Sequence, residues 1–268
     1  MDHDTAGRIL DHRTPEERAR EFLPGMGRPW LLPFYDLFSR FSRVRPVHDR
    51  TAALADVGPG ESVLDVGCGT ANLSFAVLRA QPAARVTGLD PDRAALRVAA
   101  RKAARRGLSL RLVQGFADRL PAEDGALDHV VSALALHHVP DEARDRFAHE
   151  AFRVLRRGGT VTLTDFAGPA HDAGAEHPHW YGRVRGRGRA HRGHAAHGAG
   201  AHGAAGPHGA AGAHGAAGPH GAAGAHGAAG PGDGLVRLLA GAGFTDVREV
   251  ARIEHRYGSL AIVRATRA

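Results

Sequence analysis

The stretch 63-VLDVGCGTANLSFAV-77 decides the fold. Its apolar start is typical of a buried strand, and Gly67 and Gly69 predict a tight loop before a helix. A strand, a glycine loop and a helix N-terminus form the nucleotide-binding corner of many α/β proteins. Two kinds of ligand suit such a corner: a dinucleotide held by its pyrophosphate, or a nucleoside that has no phosphate.

Short apolar runs alternate with helical patterns from Glu61 onward. Strands are predicted at 62–66, 85–90, 110–115, 127–134 and 160–166, and helices at 71–80, 92–106 and 141–156. This alternation predicts right-handed βαβ units in a doubly wound, Rossmann-like α/β sheet with helices on both faces. Two later runs, 244–255 and 259–266, follow a helix that ends near Gly241–Gly243. They predict an antiparallel pair at the sheet edge.

The first 50 residues are predicted to be helical. Thr14-Pro15-Glu16-Glu17 has the pattern of a capping box with proline at the first helical position, and it predicts a helix to about Phe22. An aromatic run, 30-WLLPFYDLFSRF-41, contains Tyr35 and Asp36, which either close over a ligand or pack as an ordinary helix. We assign 1–50 as an N-terminal helical lid or substrate segment, and 51–167 as the ligand-binding core.

Residues 168–233 interrupt this pattern with Gly, Ala, His and Arg. From His202 a hexad, HGAAGP or HGAAGA, recurs five times and places glycine at every third position. This is the collagen register, but Pro207 and Pro219 supply too few imino acids for a triple helix. We interpret 168–233 as a disordered insertion within one domain, and 234–268 as the helix and strand pair that complete the sheet.

Composition excludes several classes of protein. The single cysteine, Cys68, excludes an internal disulfide and a multi-thiolate zinc site. No segment approaches the roughly 18 apolar residues of a membrane-spanning helix, and the N-terminus lacks an apolar leader, so we expect a soluble cytoplasmic protein without a membrane partner. The net charge of +7 is concentrated at 183–192, where five arginines lie without an acid.

Two alternative functions stay open. The arginines of 183–192 are the basis of a nucleic-acid-binding hypothesis, which we disfavour because the rest of the chain is close to electrically balanced. Eight histidines between His191 and His226 suit weak binding of a divalent metal, as an adventitious or a metal-handling site. Their six-residue spacing fixes no coordination geometry, so no metal ligands are assigned.

The glycine loop itself disfavours a dinucleotide. A pyrophosphate loop needs a third glycine, but Gly69 is followed by Thr70, Ala71 and Asn72. Asp65 adds a carboxylate at the tip of the strand, which repels a pyrophosphate and suits a ligand with an ammonium or sulfonium group. Amides at the helix start can hold a carboxylate.

A second anchor lies at the end of the next strand. Asp90 follows the glycine loop by about 20 residues, the spacing of an acid that holds both ribose hydroxyls. A ligand with an amino-acid end, a ribose and a positive centre between them is S-adenosylmethionine. The two anchors together therefore predict this cofactor.

These motifs resemble the class I S-adenosylmethionine-dependent methyltransferases, most closely the branch with the quinone-biosynthesis C-methyltransferases. The resemblance covers about 50–166 and, less strongly, 234–266. Its motifs are VLDVGCGT (63–70), GLDPD (88–92), QGFADRLPAEDGALDHVVSALALHHV (114–139) and LRRGGTVTLTDF (155–166). It implies a sheet of seven strands with the last strand antiparallel, and methyl transfer to a small organic acceptor.

The resemblance also implies cofactor contacts. They are Asp65, Gly67, Cys68, Gly69 and Thr70 at the methionine part, Asp90 at the ribose, Pro91 and Asp92 beside the adenine, Ala117 and Asp118 at the adenine pair, and Ser132, Ala133 and Leu134 beneath the reacting centre. The chain departs from the family at Phe116, where relatives have an acid. Either Asp118 bonds the adenine amino group, or Phe116 packs on the ring. At Ala71 many relatives have glycine.

His137 and His138, directly after the fourth strand, are the candidate catalytic residues. They are the best-placed groups for accepting a proton from the acceptor. The alternative is that they form a structural pair at the pocket floor. A general base is optional for transfer from an activated methyl donor.

Overall fold

One mixed sheet organises the described part of the chain. The computed structural model describes residues 9–20, 44–167, 233–255 and 258–268. In these ranges the strands are β1 (Ile9–Asp11), β2 (Ser62–Val66), β3 (Arg85–Asp90), β4 (Arg111–Gln114), β5 (Leu127–Ala133), β6 (Leu155–Phe166), β7 (Thr245–His255) and β8 (Gly258–Thr266). The helices are α1 (Pro15–Ala19), α2 (Val44–Ala55), α3 (Asn72–Ala80), α4 (Arg93–Arg105), α5 (Asp141–Val154) and α6 (Asp233–Gly241), with a 3-10 turn at Leu136–His138.

The strand order confirms the doubly wound α/β prediction. Within the described ranges the order is β1-β4-β3-β2-β5-β6-β8-β7. Strands β1 to β6 are mutually parallel, and β8 lies antiparallel between β6 and β7, as expected for the last strand. The order reverses at β2, so a crevice forms at the carboxyl ends of β2 and its neighbours.

The predicted number of strands was wrong by one among the described residues. Seven were expected, and eight are present because Ile9–Asp11, within the segment predicted as helical, pairs with β4. The His12 N–H extends this pairing to the Gln114 carbonyl at 2.9 Å. The following capping box is present, with Thr14 and Glu17 bonded reciprocally, but α1 ends at Ala19 rather than near Phe22.

Two further bounds differ from the prediction. Helix α2 runs through the predicted boundary at residue 50, and its Thr51 hydroxyl lies 2.7 Å from that of Thr164 on β6. Helix α5 ends at Val154, before the predicted 156, and β6 begins at once because Leu155 pairs with Leu127 on β5. Tyr35, Asp36 and the predicted insertion up to residue 232 lie outside the described ranges.

Two apolar cores cover the two faces of the sheet. Leu64 and Val66 of β2 belong to the core beneath α5 and α6, whereas Val63 belongs to the core beneath α2, α3 and α4. Strands buried on both faces require such continuous apolar runs. No helix in the described ranges is both long and apolar enough to cross a membrane.

Candidate active site

A cavity of about 390 Å³ opens at the carboxyl ends of the central strands. Its volume lies in the range of small-molecule and cofactor sites. The predicted residues that line it are Asp65, Gly67, Cys68, Gly69, Thr70, Asp90, Pro91, Asp92, Ala117, Asp118, Ala133, Leu134 and His138. Ser132 and His137 do not line it. The crevice predicted from the strand order and the predicted residues therefore meet at one place.

Glycine occurs at positions 67 and 69 of the loop for two different structural reasons. Gly67 has φ +71°, and a Cβ there would lie 2.4 Å from the Cβ of Ala135. Gly69 has φ +52°, but no atom lies within 4 Å of the position its Cβ would take. At Gly69 the sequence-based explanation, close approach of a ligand, therefore suits the structure. At Gly67 the packing against the segment after β5 is enough to require glycine.

Ala71 lies in the left-handed region with φ +65°. An alanine in this conformation costs about 1–2 kcal/mol relative to the right-handed region. Its side chain is fully buried, so the surrounding packing fixes it. The N-terminus of α3 has no side-chain cap at this position.

Asp65 is more deeply buried than its position at a strand tip predicts. It is 1% exposed, and its carboxylate accepts a 2.6 Å hydrogen bond from the Ser74 hydroxyl at the start of α3. Burial raises the pKa of Asp65 to about 7, although the hydrogen bonds from Ser74 lower it. The charge of Asp65 therefore depends on pH and on a cationic neighbour.

Asp90 joins the end of β3 to the glycine loop. Its Oδ2 accepts the Gly69 N–H at 2.8 Å, and its Oδ1 accepts the Asp92 N–H at 2.8 Å. Burial raises the pKa of Asp90 to about 6, although these two hydrogen bonds lower it. A carboxylate has about four lone-pair sites. Each oxygen thus retains room for one hydroxyl donor, as a ribose diol requires.

Arg20 and Phe116 form a stacked wall on one side of the cavity. Both oxygens of Asp118 accept the Arg20 Nη1 at 2.9 Å, and Arg146 Nη2 donates to Oδ2 at 3.1 Å. The Arg20 guanidinium lies 4.5 Å over the ring of Phe116. Because two guanidinium groups already bind the Asp118 carboxylate, this geometry favours packing by Phe116 over an adenine hydrogen bond from Asp118. Both adenine contacts stay predictions.

Ser132 supports the site from behind. Its hydroxyl donates to the Val66 carbonyl at 2.8 Å, and the side chain is 1% exposed. This hydrogen bond turns the Ser132 side chain toward β2, whereas the next two residues, Ala133 and Leu134, line the cavity. Ser132 does not line the cavity, and its role as a cofactor contact stays a prediction.

His138 lines the cavity, whereas His137 is hydrogen-bonded to Asp165. The His137 ring Nδ1 lies 2.7 Å from Asp165 Oδ1, and its backbone N–H donates to Oδ2 at 3.0 Å. The rings of His137 and His138 are 3.9 Å apart, and Phe166 packs edge-on against His137 at 5.0 Å. Burial alone raises the pKa of Asp165, but His137 and the hydrogen bonds bring it below its ordinary value. An ionised Asp165 therefore fixes the 3-10 turn that presents His138.

Several lining residues were missed by sequence reasoning. Arg20 follows α1, His48 lies on α2, and Asn72 begins α3. His48 is 7% exposed, has no hydrogen-bond partner within the described ranges, and burial lowers its pKa to about 4, so the ring is neutral. No local motif marks Arg20 and His48, because tertiary packing alone turns them toward the cavity, whereas Asn72 lies just after the glycine loop.

Comparisons with known proteins agree with this site. A family model described as a methyltransferase domain matches residues 63–159. The demethylmenaquinone methyltransferase of Thermus thermophilus is 32% identical over 146 residues, which cover 53% of this chain and 66% of that protein. The ubiquinone/menaquinone biosynthesis C-methyltransferase UbiE of Rhizobium johnstonii is 37% identical over 112 residues, 41% of this chain and 43% of that protein.

A solved structure shows the same fold over more of the chain. A SAM-dependent methyltransferase from Aquifex aeolicus superposes with a TM-score of 0.54 at 15% identity, covering 90% of this chain and 99% of the other. The chain spans about half the length of most of the relatives that it matches.

The fold and the cavity define a Rossmann-like α/β domain in which a glycine loop and two buried acids, Asp65 and Asp90, line one cavity. With the similarities above, the chain contains an S-adenosylmethionine-dependent methyltransferase domain, and S-adenosylmethionine is its cofactor. The residues behind the two alternative hypotheses, 183–192 and 191–226, lie outside the described ranges.

Proposed function

We propose that this chain transfers the methyl group of S-adenosylmethionine to a small organic acceptor by in-line displacement. The observation that supports this most strongly is the open space at Gly69, bounded by the buried acids Asp65 and Asp90. The cofactor supplies a methyl group already activated on a sulfonium centre. The protein therefore has to align the two reactants and exclude water, and neither task requires a nucleophilic side chain.

The electrostatics of the cavity support a cationic ligand over a pyrophosphate. Four carboxylates line it, Asp65, Asp90, Asp92 and Asp118, and Arg20 is the arginine among the lining residues. Arg20 is itself bound to Asp118. A doubly negative pyrophosphate at Gly69 would meet Asp65 and Asp90 in a buried setting, where unscreened repulsion is strong. A sulfonium or ammonium group is attracted by the same acids.

Of the two predicted catalytic histidines, the geometry favours His138 as the proton acceptor. His138 lines the cavity, whereas His137 is bound to Asp165 and supports the turn. A proton leaves the acceptor only after or during methyl transfer, so the base affects kcat more than cofactor affinity. We expect His138→Gln to lower kcat and to flatten its pH dependence near neutrality. An unchanged pH profile would assign both histidines a structural role.

The wall beyond β5 supports an apolar, planar acceptor. It consists of the apolar residues Ala133, Leu134, Ala135, Leu136, Val139, Pro140 and Ala143. Two of the similar proteins are named for methylation in quinone biosynthesis. A reduced quinone or a comparable phenol is therefore the first acceptor class to test. The fold alone does not decide this: a protein titled as the [4+2]-cyclase SpnF has it as well, with a TM-score of 0.55 at 20% identity.

The decisive experiment has two stages. Calorimetric titration compares S-adenosylmethionine, S-adenosylhomocysteine and NAD on the full chain, and we expect the first two to bind and NAD to fail. The protein is then incubated with the cofactor and panels of quinols, phenols, amines and carbon acids, and mass spectrometry detects the gain of one methyl group. Binding of NAD in place of the sulfonium compound would refute the proposal.

A further inference from the structure

Lys102 is the only lysine of the chain, and it is buried behind the glycine loop. It lies on α4 with 7% of its surface exposed and does not line the cavity. Its Nζ donates to the Thr70 carbonyl at 2.8 Å, to the Thr70 hydroxyl at 3.2 Å and to Asn72 Oδ1 at 2.8 Å. One ammonium group thus binds two neighbouring positions of the loop, 30 or more residues away in sequence.

The residue between these two positions is strained. Ala71 has φ +65°, and Lys102 holds Thr70 before it and Asn72 after it. Fixing both flanking residues restricts the peptide units on either side of Ala71, which is what an unfavourable left-handed alanine requires. Thr70 and Asn72 also line the cavity. The same contacts therefore set the positions of two groups that face the ligand.

The charge of Lys102 is unfavourable at this place in two respects. An ammonium at the N-terminal end of α3 meets the positive end of the helix dipole, and burial of the charge is costly. The ring of Phe75 offers one compensating contact at 5.4 Å. The three hydrogen bonds to the loop offset part of this cost, and they are lost if the loop moves.

We propose that Lys102 is a positioning residue that holds loop 69–72 in its cofactor-binding conformation and so compensates for alanine at position 71. This inference rests on the proposed function, because S-adenosylmethionine is the ligand measured. It predicts that the effects of substitutions at Lys102 and Ala71 on cofactor affinity are coupled. Glycine at 71 adopts the left-handed conformation at little cost, so an Ala71→Gly chain has much less need of the lysine.

The test is a double-mutant cycle on the full chain with Lys102→Met, Ala71→Gly and the double variant. Calorimetry gives the affinity for S-adenosylmethionine, and circular dichroism gives the melting temperature without ligand. We expect Lys102→Met to weaken binding at least tenfold, Ala71→Gly to change it less than threefold, and the double variant to regain at least threefold over Lys102→Met. Arg105→Met, exposed on the same helix, is the matched control and should bind as the wild type does.

Each outcome separates the two claims. If the wild type fails to bind the cofactor, the proposed function fails. If the wild type binds and Lys102→Met binds equally well, the positioning role is refuted. Additive effects without rescue by Ala71→Gly would refute the compensation. Should Lys102→Met not fold, Lys102→Gln replaces it with the same expectations, because its amide is one bond shorter and does not reach both Thr70 and Asn72.

Discussion

The Gly69 N–H donates a 2.8 Å hydrogen bond to the carboxylate of Asp90, and this bond joins the two halves of the nucleotide site. The glycine loop follows β2 and Asp90 ends β3, so this hydrogen bond connects two different βα units and fixes the loop. Asp90 therefore holds the loop that lines the cavity, and we propose that it also accepts the ribose hydroxyls. Substitutions at Asp90 should affect both.

The first prediction concerns Asp90→Ala and Asp90→Asn. We expect both to weaken S-adenosylmethionine binding at least tenfold in calorimetric titrations. Asparagine is not conservative here, since its amide NH₂ faces an N–H group, of Gly69 or of Asp92, whichever way it is turned. The exposed Asp124→Asn is the control. Wild-type affinity in Asp90→Asn would show that the carboxylate does not contact the ribose.

The second prediction concerns proton release. Burial raises the pKa of Asp65 to about 7 and that of Asp90 to about 6, so both acids are partly protonated between pH 5.5 and 7 in the free protein. A sulfonium cation favours their ionised forms, so its binding should release protons to the buffer. Titrations at about pH 6.5 in phosphate and in imidazole buffer measure this release from the difference in heat. S-adenosylhomocysteine, which lacks the charge, should release fewer protons, and equal heats in both buffers would contradict the prediction.

The third prediction concerns stability without ligand. The folded pKa of Asp65 is raised above its unfolded value, so its contribution is favourable below about pH 4 and is lost as the pH rises through 7. Asp65→Asn cannot ionise, so its stability relative to wild type should increase from pH 5 to pH 7, with a slope of up to about 1.4 kcal/mol per pH unit. Urea unfolding at several pH values measures this slope. A constant difference would show that Asp65 is ionised throughout.

The strands beside the site are predictable because local sequence determines them. The predicted bounds 62–66 and 85–90 coincide with β2 and β3. Both are short apolar runs that end at turn-forming residues, Gly67 and Pro91, and both are buried on two faces. The glycine loop and Asp90 follow directly from these two strand ends.

Other features depend on neighbours that the sequence does not reveal. Strand β1 has three residues and exists through its pairing with β4, so no periodicity marks it. Arg20 and His48 reach the cavity from segments that have no site motif. The raised pKa of Asp65 results from its burial under α3, and a sequence motif does not reveal burial.

The fourth prediction separates the two loop glycines. Gly67→Ala should destabilise the protein by about 2 kcal/mol or more, because a positive φ and the 2.4 Å approach to Ala135 act together. Adding Ala135→Gly should restore the part due to the contact and leave the part due to φ. Gly69→Ala should cost only about 1–2 kcal/mol of stability, but its methyl group enters the open space and should weaken cofactor binding at least tenfold. Urea unfolding and calorimetry on the same four proteins distinguish the effects, and equal losses of affinity in both glycine variants would contradict the assignment.

The fifth prediction compares two arginines that share one carboxylate. Arg20 and Arg146 both bind Asp118, but only Arg20 stacks on Phe116 and lines the cavity. Arg20→Ala should therefore weaken S-adenosylmethionine binding about three- to tenfold, because it removes the guanidinium that stacks on Phe116 in the cavity wall, where we propose that the adenine binds. Arg146→Ala removes an equal charge from the same acid and should change the affinity less than twofold. Adenosine, which has the adenine and the ribose but no methionine, should show the same ratio between the two variants in a competition titration. Equal effects of the two substitutions would mean that the charge on Asp118, and not the stacked wall, determines affinity at this end of the cavity.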